Sequence, residues 1–345
     1  MCKAKADGGG RCEYADLIAN VRRKARYKHR NDYDANRKAE DAVREWQAAN
    51  PDLVRAHLPT KMPFNYTPST VPIPKSLLAL LTPSSRVPVT GASSEEERKL
   101  QVAERHQEYV QWREKLTDDE RNAIDNYKMT GFELMNATLR KKGVSRIIRQ
   151  DYAFSSAEQQ AAVKDRASNR VKHLKRALRK TVSKNEVRKV YRFFRVPSGV
   201  TPTEYVERYL SKGKGFSDPA FLSTSADPEF LMAHIWDRNN GSKNHGYIVM
   251  EILTGQGQSL QGQPTTEAGI VQSLENEVLL PAGTKLRVAG FNPSQRFEFG
   301  VDRPDLSEHY GLFRPYAKGK NTHVKGARAN YPLVQLIDER LLPKG

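Results

Sequence analysis

Cysteine is nearly absent. The 345-residue chain has only Cys2 and Cys12, both in a Gly-rich tail, which excludes a disulfide framework and any CxxC metal site. The eight histidines are scattered, with no HExxH and no paired spacing, so neither a structural nor a catalytic metal is expected. No run of about 18 apolar residues occurs, so no membrane span is expected. The opening stretch MCKAKADGGGRCEY puts no apolar run behind its lysines. It does not read as a secretory signal, and a cytoplasmic setting is expected. Mean hydropathy is low, at −0.71, and acidic residues are outnumbered, leaving a formal net charge of +17.

The basic excess has an address. Between Arg140 and Arg195 stand eighteen Lys and Arg against four Asp and Glu. A field of that sign attracts phosphate-bearing or acidic partners: a dinucleotide, a nucleic acid or nucleic-acid-bound complex, or an acidic protein complex. It is equally compatible with a solvated helix face.

Residues 1–50 read as a basic tail followed by a helical segment, best defined over Asn36–Ala49. Residues 51–92 carry Pro59, Pro63, Pro68, Pro72, Pro74 and Pro83 and read as an extended linker. Capping-box pairs then open a helical region: Ser93 with Glu96, Thr117 with Glu120, and Ser155 with Glu158. They predict helices from Ser93 to about Lys115, from Thr117 to about Met129, and from Ser155 to about Lys180. Phe132, Met135 and Leu139 add a helical face between the last two.

From Glu186 the texture changes to short runs rich in Val, Ile, Tyr and Phe, broken by Gly and Pro. These predict strands at Val187–Val196, Ala220–Thr224, Gly246–Leu253, Glu275–Leu280, Lys285–Phe291 and Leu333–Asp338. A long basic insertion is expected from Phe291 to Tyr331. Helices first and strands second, without regular alternation, indicate an α+β fold rather than a doubly wound sheet.

Three chemistry-bearing elements fall on those strands in order: Arg192 within Lys189-Val190-Tyr191-Arg192-Phe193, the triplet Ser223-Thr224-Ser225, and Glu275-Asn276-Glu277 followed by Val278-Leu279-Leu280-Pro281-Ala282-Gly283-Thr284. Each has a bland reading alone, as a solvated strand arginine, a turn, or the polar face of a strand. Arg188 and Arg195 share the first strand with Arg192, and period-two alternation puts Arg188 on the face of Arg192.

Taken together, the set resembles the R-S-E class of mono-ADP-ribosyltransferases, in its toxin- and bacteriophage-like branch, over roughly residues 115–345. Leu116-Thr117, Tyr127 and Asn136-Ala137-Thr138-Leu139-Arg140 are similar to the helical entry of toxin-type members. Phe193 departs from the glycine that often follows the family's arginine. The resemblance implies an ADP-ribosyltransferase fold in 93–345, with N-terminal helices before a two-sheet, mainly antiparallel β core. It also implies NAD as co-substrate, without metal.

By the same resemblance, Glu277 stabilises the oxocarbenium ion, Ser223 holds Glu277, and Arg192 binds the NAD phosphates. Asn136, Arg140, Tyr127, Thr224, Ser225 and Phe230 join the cofactor site, with Trp236 as an alternative to Phe230. Glu275 implies an arginine acceptor on a target protein. The expected enzyme is therefore a monomeric NAD–protein-arginine ADP-ribosyltransferase, a glycosyltransferase working in a cytoplasm. Two other readings stay open. The same fold could serve a nucleic-acid-associated acceptor, or use NAD-capped RNA as donor, through the basic 140–195 region. It could also be an inactive nucleic-acid-binding module.

Overall fold

A computed structural model describes residues 13–28, 35–58, 65–83, 89, 95–151, 156–181, 186–238, 246–260, 276–299 and 327–343. Eleven α-helices and nine strands lie among them. The helices are α1 (Glu13–Lys28), α2 (Ala35–Ala49), α3 (Pro51–His57), α4 (Lys75–Leu80), α5 (Glu95–Glu114), α6 (Asp118–Asn126), α7 (Phe132–Arg140), α8 (Val144–Asp151), α9 (Ala157–Arg179), α10 (Pro202–Tyr209) and α11 (Pro228–Arg238). The strands are β1 (Asn65–Tyr66), β2 (Arg188–Arg195), β3 (Gly215–Phe216), β4 (Leu222–Ser225), β5 (Tyr247–Thr254), β6 (Gln258–Ser259), β7 (Glu277–Leu280), β8 (Leu286–Phe299) and β9 (Ala327–Asp338).

The α+β class and the mainly antiparallel pairing are as expected; the division into two sheets is not. The strands hydrogen-bond in one order, β1-β3-β8-β9-β5-β2-β4-β7-β6, with β5 and β9 the parallel pair. Two halves are nevertheless discernible. β2 and β4 meet at a single registered pair, Tyr191 with Ser225, whereas β2 pairs with β5 along its whole length. The narrow seam between β2 and β4 is what joins the halves into one sheet.

Both faces of the sheet are covered, which explains why β5 is fully buried along its length. Ile248, Met250 and Ile252 point into a cluster with Val190, Val334 and Leu336 that α10 closes with Tyr205, Val206 and Tyr209. Val249 faces the other way, toward Leu231, Met232 and Ile235 of α11. A second body of core is built from helices: Trp112 of α5, Ala123 and Ile124 of α6, Met135 of α7, and Val171, Leu174 and Ala177 of α9. Phe221 and Leu279 tie it to β4 and β7.

Local expectations were revised in four places. The long basic helix is capped by Ser156 with Gln159, both reciprocal backbone bonds in place, one residue beyond the Ser155–Glu158 pair, whose Ser155 lies outside the described residues. Helix α6 ends at Asn126 and passes through a π-turn at Tyr127–Gly131 before α7. A Cβ on Gly131 would sit 2.8 Å from the backbone carbonyl oxygen of Asn126, so that turn favours glycine. The Pro-rich stretch is not extended throughout: Pro51 opens α3, where a missing N–H costs nothing, and α4 follows Pro74. Strands β8 and β9 consume both ends of the expected Phe291–Tyr331 insertion; residues 300–326 lie outside the described set, as do Cys2, Cys12, Ser93 and Glu275.

Segment 65–83 is strapped to the sheet by a buried carboxylate. Glu251, fully buried on β5, accepts from Thr82 N at 3.1 Å, Thr82 Oγ1 at 2.7 Å and Gln335 Nε2 at 2.9 Å, and lies 3.2 Å from Lys189 Nζ. Gln335 Nε2 also donates to Thr82 O at 2.8 Å. Glu251→Ala leaves those donors unsatisfied beside an unpaired Lys189, and is expected to cost about 3 kcal/mol. The measurement is the denaturant midpoint of the variant against wild type at unchanged m-value.

Candidate active site

The three chemistry-bearing elements converge on the seam between the sheet halves. β4 runs antiparallel to β7 with Ser225 opposite Glu277 and Ser223 opposite Leu279. Ser223, Ser225 and Glu277 therefore share one side of the ribbon. Of the triplet, Ser223 is the exposed member, and its hydroxyl hydrogen-bonds the Glu277 carboxylate. Thr224 Oγ1 donates to Val278 O at 2.6 Å, and Ser225 Oγ accepts from Asp227 N at 2.9 Å. Those two hydroxyls hold the strand pair and the turn after it.

β2 supplies three arginines with three different fates. Arg188 Nη2 contacts both carboxylate oxygens of Glu108 on α5 at 2.9 Å. The Arg195 guanidinium stacks over the Tyr247 ring at 5.4 Å. Arg192 alone reaches the triplet, donating from Nη1 to Ser223 O at 2.7 Å. It is half-buried, and burial lowers its pKa, while the neighbouring Tyr127, Asp218 and Glu277 raise it and Arg140 lowers it.

Glu277 is the electrostatic centre of the group. Burial pushes its carboxyl above the ordinary value; the Ser223 hydrogen bond and the charges of Lys128 and Arg192 offset that only partly. Lys128, which the motifs did not single out, is held by the π-turn. Its Nζ donates to Leu260 O at 2.7 Å and lies 4.9 Å from the centre of the Tyr109 ring.

The helical wall is fastened to the same strands. Tyr127 packs edge-on against Phe221, centroids 5.7 Å apart, and its hydroxyl accepts from Asn136 Nδ2 at 3.2 Å. Asn136 Oδ1 in turn accepts from Phe221 N at 3.2 Å, which spans the gap between α7 and β4. Burial first, and then the charge of Glu277, raises the Tyr127 hydroxyl above its ordinary pKa, so it stays protonated. One turn beyond Asn136, Arg140 makes a two-point pair with Asp218, from Nε at 2.9 Å and Nη2 at 2.6 Å.

Asp218 was missed in the sequence. Its carboxylate also accepts from Ala220 N at 3.0 Å, the bond of an Asx turn. The Asp218-Pro219 dipeptide ahead of a strand signals that turn but not the arginine it holds. Phe230 is buried on α11, and nothing is described for the Trp236 side chain. Glu275 precedes the first described residue of its strand segment. Among the described residues no group of three or more His, Cys, Asp and Glu could hold a metal ion, and no helix is long and apolar enough to cross a membrane.

The site thus presents a partly desolvated carboxylate, fixed by a hydroxyl and flanked by two cations. By fold the chain is similar to Vis, an ADP-ribosyltransferase toxin of Vibrio splendidus: 16% identity, 73% of this chain and 89% of that one covered, TM-score 0.40. It is similar also to Plx2a, an ADP-ribosyltransferase toxin of Paenibacillus larvae, at 15% identity with 70% and 96% covered and a TM-score of 0.39. A third is the enzymatic component C2-I of the Clostridium botulinum C2 toxin, at 13% identity, with 69% of this chain but 46% of that one covered and a TM-score of 0.43. No individual curated protein matches by sequence. The model of the ADP-ribosyltransferase exoenzyme family matches residues 105–301, more than half the chain, from α5 through the triplet and Glu277 to the end of β8, and the chain belongs to that family.

Proposed function

We propose that the protein transfers a single ADP-ribose from NAD to arginine side chains of a target protein. The observation that carries the reading is the Ser223–Glu277 hydrogen bond with Arg192 bound to the Ser223 carbonyl, which sets a carboxylate and a guanidinium on either side of one serine. NAD use and ADP-ribosyl transfer belong to the family. The arginine acceptor rests on Glu275, two residues before Glu277.

In the proposed reaction the bond between nicotinamide and ribose C1′ breaks, and neutral nicotinamide leaves with the bonding electron pair. The positive charge developing on the ribose lies beside the Glu277 carboxylate, which stabilises the transition state more than the ground state. Ser223 prevents the carboxylate from turning away. Arg192 stands where a guanidinium can make charge-assisted bonds to phosphate. The acceptor nitrogen then bonds to C1′ and gives up a proton. A guanidinium is protonated and a poor nucleophile, so a second carboxylate, Glu275, attracts it and takes that proton.

The raised Glu277 pKa sets the pH behaviour in two opposite directions. Catalysis needs the ionised form, so kcat/KM, which follows the free enzyme, is expected to fall as pH drops through a value above the ordinary glutamate pKa of about 4.3. Stability runs the other way: a carboxyl with a raised folded pKa contributes fully at low pH and loses its contribution as pH rises through that pKa. Glu277→Gln should therefore melt higher than wild type at neutral pH and level with it near the ordinary glutamate pKa. A pH series of melting temperatures on both proteins checks this.

Glu277→Ala is expected to lose about 10²–10³-fold in kcat for nicotinamide release. Glu275→Ala should release nicotinamide within about threefold of wild type while losing about 10²-fold or more in transfer to agmatine, a small guanidine. Labelled NAD, agmatine and a protein lysate serve for all three proteins. Labelling that sits on a side chain other than arginine would sink the acceptor assignment and leave the NAD chemistry standing.

A further inference from the structure

Helix α9 buries one face and leaves the other strongly basic. Val163, Ala167, Val171, Leu174, Ala177 and Leu178 are buried, and the helix packs on α6 and α7, with Val171, Leu174, Ala177 and Leu178 in the cluster that holds Tyr127 and Phe221. Lys164, Arg166, Arg170, Lys172, Lys175, Arg176 and Arg179 are exposed. No salt bridge joins any of them to a described carboxylate, although Arg113, Arg140, Lys180 and Arg188 elsewhere all have one.

The helical repeat sharpens the pattern. At 100° per residue, Lys164, Lys172, Lys175, Arg176 and Arg179 fall within an arc of about 120°, with Asp165 the one acid among them. From Lys164 to Arg179 the row is about 22 Å long. Lys141, Lys142 and Arg146, at the α7–α8 corner, are exposed as well, and α8 packs on α9.

The chemistry of the row selects its partner. Protein interfaces centre on apolar and aromatic anchors, but α9 exposes no large apolar side chain and has no Phe, Tyr or Trp. Single-strand binders use aromatic platforms for the bases, and those too are lacking. What remains is point charge at close spacing on a rigid rod, which matches a phosphate backbone. The packed face prevents the rod from sinking fully into a groove, so it lies across the backbone and reads no base.

We propose that this face of α9 is a docking surface for double-stranded nucleic acid, bound without sequence preference. The duplex would lie on the outer side of the helices that carry Tyr127 and Asn136 and bring the enzyme to proteins already on that duplex. The proposal does not depend on which side chain accepts ADP-ribose.

The test is fluorescence anisotropy of the full chain with labelled 20-base-pair duplexes of unrelated sequence, over 50–200 mM salt. Wild type should bind all of them alike, with log K falling against log salt at a slope of about −4 to −5, for roughly five phosphate contacts. Lys164→Gln, Lys172→Gln, Lys175→Gln and Arg176→Gln combined should weaken binding at least tenfold at low salt and flatten the slope by about 3 to 4. Glutamine keeps the helix, and unchanged nicotinamide release from NAD shows that the fold survives. A control removes the same number of charges elsewhere, with Arg23→Gln, Lys24→Gln, Lys28→Gln and Lys75→Gln, and should stay within threefold of wild type. The proposal is overturned by absence of duplex binding at 50 mM salt, by equal losses in the two variants, or by tighter binding of a single strand. Failure of the NAD reading would show separately, as no nicotinamide release from any of the proteins.

Discussion

A carboxylate in a poorly solvated place is the constraint around which the site is arranged. Glu277 cannot rely on water, and its pKa is pushed up. The compensation arrives from three directions: the Ser223 hydroxyl on the paired strand, Arg192 across the seam between the sheet halves, and Lys128 from the π-turn. Each of these is itself tied down. Arg192 is anchored to the Ser223 carbonyl, and Lys128 to the Leu260 carbonyl. The field at Glu277 is thus set by groups already held in place; under the proposed reaction, such fixed charges need not reorganise.

The helices before the sheet serve this arrangement as a wall. The path Tyr127–Asn136–Phe221 is a chain of hydrogen bonds and ring contact from the π-turn to β4. Asp218 extends it, orienting Arg140 from the loop that leads into the same strand. The π-turn is a local departure from regular helix of the kind that accompanies functional sites, and Gly131 eases its steric crowding. On the far side of the wall, α9 uses one face to brace the helices and leaves its charge outward. Packing of the helical wall and display of positive charge are thus two faces of the same rod.

The segments before α5 are not idle either. Val54 of α3 enters the main sheet cluster, and Leu77 and Leu81 pack on Leu253 and Ile337. Gly199, at a φ of +86°, lets the turn after β2 pass within 2.7 Å, at its Cβ position, of the Gln47 carbonyl. Proline density suggested extended chain there because it counts missing donors. It does not count the apolar side chains between the prolines, which found a sheet face to cover.

Much of the architecture was legible because it rests on local rules. The Thr117–Glu120 box and the strand-forming runs depend on near neighbours in the chain; the box lies where the pattern put it, and so do the expected strands, with β8 and β9 running longer. Helices α8, α10 and α11 were overlooked, since each is short and carries too few repeats of an apolar face to stand out. Which of three β2 arginines meets the triplet was a matter of face and neighbour: Glu108 and Tyr247 engage two of them, and only packing reveals that. Asp218 and Lys128 had no motif, because their roles come from residues 78 and 132 positions away. The sequence by itself determined the order of elements and the chemical types at the site, since backbone propensity and side-chain chemistry are properties of short stretches. Only the tertiary structure decided which charges face Glu277 and whether the sheet is one or two, because both depend on how distant strands meet at one seam.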